Sequence, residues 1–213
     1  MIVGIDFSIK SPAVTIIHEE EGTLFFSFPR KSVAKEDFFI TLENNGVSVI
    51  ALEDEPALPK TAKLTQREQS SIKDAFMEID AIVGLLSEWT FTDEDYIAIE
   101  GFSFGSTGNR LAQISGYQWL LRARLITILG ITPEQLYFFS PMTIKATAGN
   151  GHYKKDQMIN ALIQSDCDTQ FVNAIRQAPA EFQNKKGAWL KPIDDIVDSY
   201  WIAKTLQKTL STN

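Results

Sequence analysis

Four carboxylates of this chain stand where apolar segments end or meet a surface. Asp6 follows the apolar run MIVGI, and Glu100 closes the run YIAIE. Asp195 and Asp198 lie three residues apart in a segment with helical periodicity, so both point to one face of a helix. Carboxylates that are brought together repel one another, and bound cations relieve this repulsion. The four acids therefore predict a site for divalent metal ions.

The other potential metal ligands restrict which metal this is. The chain has a single cysteine, Cys167, and two histidines, His18 and His152, that are far apart in sequence. A cysteine-rich zinc site is excluded, and oxygen ligands suit hard cations such as Mg²⁺ or Mn²⁺. Two Mg²⁺ ions about 3.5–4 Å apart can activate a water on one side of a phosphodiester and stabilise the leaving oxygen on the other. We therefore expect two Mg²⁺ ions, with Mn²⁺ able to substitute, and a phosphodiester substrate.

The charge of the chain is distributed unevenly. The net charge is -7, which by itself argues against a nucleic-acid partner. Residues 1–100 carry 8 basic and 19 acidic side chains, whereas residues 101–191 carry 10 basic and 5 acidic ones. The second half can therefore offer a basic surface to phosphates although the whole chain is acidic.

Length and composition indicate a single globular domain over residues 1–213. The chain has 213 residues, of which 44% are hydrophobic, enough to fill one core. It contains no apolar run near the roughly 18 residues that span a membrane. Its N-terminus also lacks the order of a signal peptide. We expect a cytoplasmic protein, in the host cytoplasm if its source is viral.

The elements that must position the acids are short apolar strands and amphipathic helices. Asp6 and Glu100 each end a β-competent run, which places them at the ends of strands. The predicted strands are about 1–6, 13–17, 23–28, 96–100 and 136–139, and the predicted helices are about 65–89, 109–129, 141–145, 154–164 and 193–210, with a further helix early in 168–190.

Residues 38–53 are predicted to form an additional hairpin. The segment FFITLENNGVSVIALE contains Asn45-Gly46 between apolar, β-branched runs. Asn-Gly between such runs is a strong signal for a two-residue hairpin turn.

Four motifs, in order, carry a resemblance to a known family: IVGIDFS, IAIEGF, SPMTIKATAGNGHYKKDQM and DDIVDSYWIA. Together they resemble the RNase H-like nucleases and, among these, the RuvC family of Holliday junction resolvases. The resemblance covers most of the chain except residues 31–64. It implies an α/β fold with a central mixed five-stranded sheet flanked by helices, here with an extra hairpin insertion. It also implies a crossover junction endodeoxyribonuclease, active in DNA recombination and repair.

The resemblance assigns roles to individual residues. It implies that the metal-binding catalytic acids are Asp6, Glu100, Asp195 and Asp198. Asp194 is a helical neighbour of Asp198 as well, but an acid in the first turn of a helix is favoured by the helix dipole, so Asp195 is kept as the ligand.

Basic residues of the second half are candidates for DNA contact. Lys145 and Lys155 fall where family members place lysines that touch DNA or the scissile phosphate, and Lys155 is therefore counted with the catalytic residues. Lys154 and Arg110 are further candidates. For Lys154 and Lys155, a solvated helix start is the competing interpretation.

The family also implies a homodimer that cuts two strands of a four-way junction symmetrically. The dimer forms partly through the helix that matches 109–129. Phe102 and Phe104 lie just after the catalytic glutamate, where a family aromatic can wedge into the junction, and the spacing does not single out one of them. The motif reads DFS where DPG is common, which indicates a divergent branch and leaves a viral source open.

Three other functions compete with junction resolution. A related RNase H-like nuclease could act on flaps, forks or RNA–DNA hybrids. A non-catalytic junction-binding module is disfavoured, since a pure binder gains nothing from acids that face phosphates. An actin-like ATPase also begins with a strand and an early Asp, but it needs two lobes and glycine-rich phosphate loops.

Overall fold

The computed structural model describes residues 1–101 and 109–212. In these ranges the strands are β1 (Ile2–Asp6), β2 (Ala13–His18), β3 (Gly22–Ser27), β4 (Val47–Val49), β5 (Tyr96–Glu100) and β6 (Leu136–Phe139). The helices are α1 (Glu36–Asn44), α2 (Leu64–Leu86), α3 (Asn109–Leu129), α4 (Pro141–Ala148), α5 (Lys155–Gln164), α6 (Gln170–Gln177) and α7 (Ile193–Ser211), with 3-10 turns at Pro133–Gln135 and Pro179–Phe182.

The strands form one mixed sheet in the order β4-β3-β2-β1-β5-β6. β1 pairs antiparallel with β2 and parallel with β5, so it lies in the interior of the sheet. The predicted mixed α/β sheet flanked by helices is confirmed, but the described residues contain six strands rather than five. The sixth, β4, comes from the segment that was predicted to be a hairpin.

The prediction of a hairpin at 38–53 is wrong. Its first part is helix α1, because Phe38, Phe39 and Leu42 recur at helical spacing and are buried on one face. Gly46 has φ +83° and follows the helix end, so Asn45-Gly46 terminates a helix and does not turn a hairpin. β4 then pairs parallel with β3, as a helical crossover connection allows.

Two hydrophobic cores cover the two faces of the sheet. One is built around α7, with Ala98 of β5 and Tyr200 of α7 among its buried members. The other lies under α2 and α3 and includes Ile5 of β1 and Ile99 of β5. Successive residues of a strand point to opposite faces, so Gly4 and Asp6 share the α7 side with Ala98 and Glu100. The sheet therefore directs both strand acids towards α7.

The predicted helices are present; α3 has the predicted bounds, and other helices have shifted ends. α2 ends at Leu86, three residues before the predicted end, and Ile72 on it is exposed. α4 continues to Ala148, beyond the predicted end at 145. No described helix is long and apolar enough to cross a membrane.

Candidate active site

Parallel pairing of β1 and β5 brings the first two acids together. Ile5 pairs with Ile99, so Asp6 and Glu100 follow at neighbouring positions at the carboxyl ends of adjacent strands. Both acids were predicted at strand ends. The strand pairing alone sets the two acids side by side, since both lie in strands and neither lies in a loop.

Helix α7 brings the other two acids to the same place. Gly4 of β1 meets the backbone of Ser199 and Ala203, whereas Asp6, two residues further along β1, lies beside Asp195 and Asp198. α7 therefore runs opposite in direction to β1. Asp195 and Asp198 thus lie over the end of β1. Burial raises the pKa of Asp6 well above its ordinary value, and the charges of Asp195, Asp198 and Glu100 raise it further.

One cavity of about 320 Å³ joins the four acids with two of the predicted lysines. Its lining residues are Asp6, Ser8, Glu100, Pro141, Ile144, Lys145, Lys155, Met158, Asp195 and Asp198. The polar side chains come from β1 and the segment after it, β5, α4, α5 and α7, so the cavity exists only in the folded chain. Acids and ammonium groups thus meet around a space open to a ligand.

Three of the acids have no direct partner among the described residues: no hydrogen bond or ion pair there reaches the carboxylates of Asp6, Glu100 and Asp198. Burial raises the pKa of Asp198 to about 7; Lys155 opposes this shift and Glu100 adds to it. Burial also raises the pKa of Glu100, against the nearby charges of Lys145 and Lys155. A buried or half-buried carboxylate without a partner is costly, so these three acids favour an external cation.

Asp195, in contrast, is fully engaged. Lys191 donates to its Oδ1 and Oδ2 atoms at 2.7 Å each, and Ser11 donates to Oδ2. Burial raises the pKa of Asp195 and Asp194 adds to this, while Lys191 and Ser11 oppose the shift.

Asp194 forms a second paired group beside the cavity. Its Oδ2 atom accepts from Lys155 and lies 2.9 Å from Lys191 Nζ. Burial alone would raise the pKa of Asp194, but the hydrogen bonds from Lys155 and Lys191 hold it below its ordinary value. Asp194 therefore stays ionised and tethers the ammonium of Lys155.

The donor set suits a hard divalent cation, since the four acids at the cavity provide only carboxylate oxygens. Among the described residues, however, no three Asp, Glu, His or Cys side chains stand close enough together to hold one ion. The acids surround the cavity as separate donors and do not form a closed cage. Binding of a cation would require their side chains to converge.

The remaining predicted residues lie in different places. Lys154 is the exposed N-cap residue of α5 and is not part of the cavity wall. Arg110 lies in the first turn of α3, but its side chain is outside the described part. Phe102 and Phe104 also lie outside the described residues.

Neither Ser11 nor Lys191 was predicted to belong to the site. Asp194 was weighed only as an alternative ligand, and its ion pair with Lys155 was not predicted. Lys191 and Asp195 have the i, i+4 spacing of an ion pair, which was a usable signal. Ser11 is 184 residues from Asp195 in sequence. No local pattern could have joined those two residues.

The cavity thus lies at the carboxyl ends of β1 and β5, in a mixed sheet with helices on both faces. No protein-family model and no curated protein matches the chain. Among solved structures, it is similar to that of Thermus thermophilus RuvC, with 13% identity, 100% of this chain and 96% of that chain covered, and a TM-score of 0.53. It is also similar to T. thermophilus RuvC in complex with Holliday junction substrate, with 15% identity, the same coverage and a TM-score of 0.51. The chain shares the fold of these structures.

Proposed function

We propose that this protein is a divalent-metal-dependent endonuclease that resolves Holliday junctions or closely related branched DNA. One observation carries the proposal: Asp6, Glu100 and Asp198 face one cavity without any direct partner among the described residues. Such a cluster is unfavourable in an isolated protein and becomes favourable when cations bind. The shared fold with a structure solved in complex with Holliday junction substrate supports branched DNA as the substrate class.

In this proposal each group at the cavity has a chemical task. Bound Mg²⁺ or Mn²⁺ ions would supply charge neutralisation and an activated water. The carboxylates that would hold them are Asp6, Glu100, Asp195 and Asp198. Asp6 lies between Glu100 on the neighbouring strand and the two α7 acids, so it would hold cations together with either group.

The lysines at the cavity supply the contact to DNA. Lys145 and Lys155 line it, and both lie near enough to Glu100 to oppose the rise of its pKa that burial causes. An ammonium at the rim of an acidic cavity would attract a backbone phosphate towards the acids. Lys155 would contact the phosphate that is cut, and Lys145 a phosphate beside it.

The proposal includes a homodimer, because two symmetric cuts require two sites. An aromatic patch of Trp119, Arg122 and Phe138 supports a partner surface on α3 and β6. Trp119 is 64% exposed and Phe138 is 45% exposed, while Arg122 packs on both rings, at 4.8 Å and 4.1 Å from the ring centroids. Exposed aromatic residues and arginine are enriched at protein interfaces.

Cleavage of a synthetic four-way junction tests the proposal. Purified protein with Mg²⁺ is expected to release nicked duplexes with ligatable 5′-phosphate and 3′-hydroxyl ends. Asp6→Asn should abolish the cut, because it removes the charge of the central acid among the four that would hold the cations. Asp93→Asn removes an exposed acid outside the cavity and should cut like wild type.

The same assay separates the competing functions. If flaps, forks or RNA–DNA hybrids are cleaved faster than the junction, that DNA or hybrid is the preferred substrate in place of the junction. Junction binding without cleavage in Mg²⁺ and in Mn²⁺, unaffected by Asp6→Asn, would leave a non-catalytic binding module.

A further inference from the structure

Lys191 occupies the oxygens of one of the proposed metal ligands. Its Nζ atom lies 2.7 Å from both carboxylate oxygens of Asp195 and 2.9 Å from Oδ2 of Asp194. With the hydrogen bond from Ser11, both oxygens of Asp195 are already used. Among the four acids of the cavity, Asp195 alone has direct partners in the described residues.

Stabilisation of helix α7 does not explain this position of Lys191. The residue precedes the first residue of α7 by two positions, where a positive charge is unfavourable to the helix dipole. The nearby carboxylates of Asp194 and Asp195 offset this unfavourable interaction, so the ammonium of Lys191 stabilises these acids and not the helix. An internal cation at this point neutralises part of a carboxylate cluster that is otherwise unpaired.

A carboxylate has about four lone-pair sites, and Lys191 and Ser11 use three of those on Asp195. A divalent cation at these oxygens would also be repelled by the ammonium of Lys191. Lys191 therefore opposes cation binding at Asp195, and its departure would favour it. Its side chain is 44% exposed, and it also lines a neighbouring cavity with Ser8 and Lys10. The ammonium thus has space to move into without any change in the backbone.

We propose that Lys191 is an internal counter-ion that holds Asp195 until a divalent cation displaces it. The inference rests on the proposed function, because it takes Asp195 as a ligand for that cation. It makes Lys191 a positioning residue that sets the metal affinity of the site. Neutralising Lys191 should therefore strengthen metal binding, the opposite of what loss of a ligand would do.

Calorimetric titration with MnCl₂ and MgCl₂ in the absence of DNA tests the proposal. Lys191→Gln should bind the ions about fivefold more tightly than wild type, as expected when a competing ion pair is lost. Lys191→Arg keeps a cation and should stay near the wild-type affinity. Lys208→Gln makes the same charge change in the last turn of α7 and should not alter the affinity. Equal or weaker binding by Lys191→Gln overturns the proposal.

A second measurement needs no substitution and so does not depend on the folding of a variant. The amine of Lys191 in the wild-type protein should be acetylated faster by a lysine-reactive reagent when MnCl₂ is present, while Lys208 is unchanged. A rate for Lys191 that is unaffected or lowered by the metal contradicts the displacement.

The two proposals fail in different ways. If the wild-type protein binds metal and shows this competition but leaves every branched DNA uncut, the proposed nuclease activity is wrong and the counter-ion proposal stands. If junctions are cleaved but Lys191→Gln does not change the metal affinity, only the counter-ion proposal is wrong. If the wild-type protein binds no divalent cation, both proposals are wrong.

Discussion

Gly4 of β1 lies directly against the backbone of Ala203 in α7: a Cβ atom at Gly4 would stand 2.4 Å from the Ala203 nitrogen. It would also stand 2.3 Å from the backbone oxygen of Ser199. Real contacts are never this short, so only glycine allows α7 to approach the central strand. Asp6 lies two residues further on the same face of β1, and this approach sets its distance to the acids of α7.

Gly4→Ala should therefore destabilise the protein by about 1–3 kcal/mol or more, because both clashing groups are backbone and cannot rotate away. Thermal or urea denaturation measures this. Gly84→Ala is the matched control: Gly84 is a glycine of α2 whose added methyl would meet nothing within 4 Å. There the same change should be neutral or should stabilise by up to about 1 kcal/mol. Similar denaturation midpoints for Gly4→Ala and wild type would show that α7 can shift.

The strand acids were the most predictable part of the site. The runs IVGID and YIAIE each place a small residue two positions before a carboxylate, and the parallel register of β1 and β5 makes these positions coincide. Alternation along a strand therefore carries information about the site as well as about the core.

The failures of sequence prediction have physical causes. Asn45-Gly46 suits a hairpin turn and also a helix end, and burial of Phe38, Phe39 and Leu42 under the sheet decided for the helix. The hydrogen bond of Ser11 to Asp195 arises from packing between segments 184 residues apart. Short-range patterns contain neither of these tertiary contributions.

Asp6→Asn should raise the stability of the metal-free protein while removing its stabilisation by metal. Burial and three neighbouring acids disfavour the charge on Asp6, so an uncharged amide relieves the folded state. The expected gain is about 0.5–2 kcal/mol, as is typical of stabilising changes at functional sites. Melting temperatures with and without MgCl₂ measure both effects, with Asp93→Asn as a surface control. A lower melting temperature without metal would mean that Asp6 has an internal partner.

Asp194→Asn should slow junction cleavage by about tenfold with little change in junction affinity. Asp194 tethers Lys155, and a displaced ammonium costs rate when correct placement is needed only in the transition state. Single-turnover cleavage and equilibrium binding separate the two quantities, and Asp194→Glu should recover part of the rate. Asp156→Asn, an exposed acid beside Lys155 in α5, is the control. Wild-type cleavage by Asp194→Asn would show that Lys155 needs no tether.

Trp119→Glu should convert a dimer to a monomer, if the aromatic patch is the partner surface that we propose. The substitution buries a charge in the interface of the dimer but leaves the monomer core intact, since Trp119 is largely exposed. Sedimentation velocity measures the state. Ile128→Glu is the control, because Ile128 is another exposed apolar residue of α3 but lies on the opposite face of the helix. A variant Trp119→Glu that sediments like wild type would place the interface elsewhere.

Glu78 should give the protein a stability that falls with rising pH. Arg30 donates to its Oε1 atom at 2.6 Å and 3.1 Å, but the buried Oε2 atom has no hydrogen-bond partner. Burial raises the pKa of Glu78 to about 8, against the influence of Arg30. Between the unfolded pKa, about 4.3, and this folded value, the folded state holds a proton that the unfolded state releases.

Stability should consequently decline between about pH 5 and pH 8, with a slope of up to about 1.4 kcal/mol per pH unit from this one group. Glu78→Gln resembles the protonated acid, so it should flatten the decline while keeping the acceptor for Arg30. Glu68→Gln, at an exposed position of the same helix, should keep the wild-type slope. Urea denaturation across this pH range measures the slopes. Parallel profiles for Glu78→Gln and wild type would show that Glu78 is ionised throughout, because the ion pair with Arg30 would then outweigh the cost of burial.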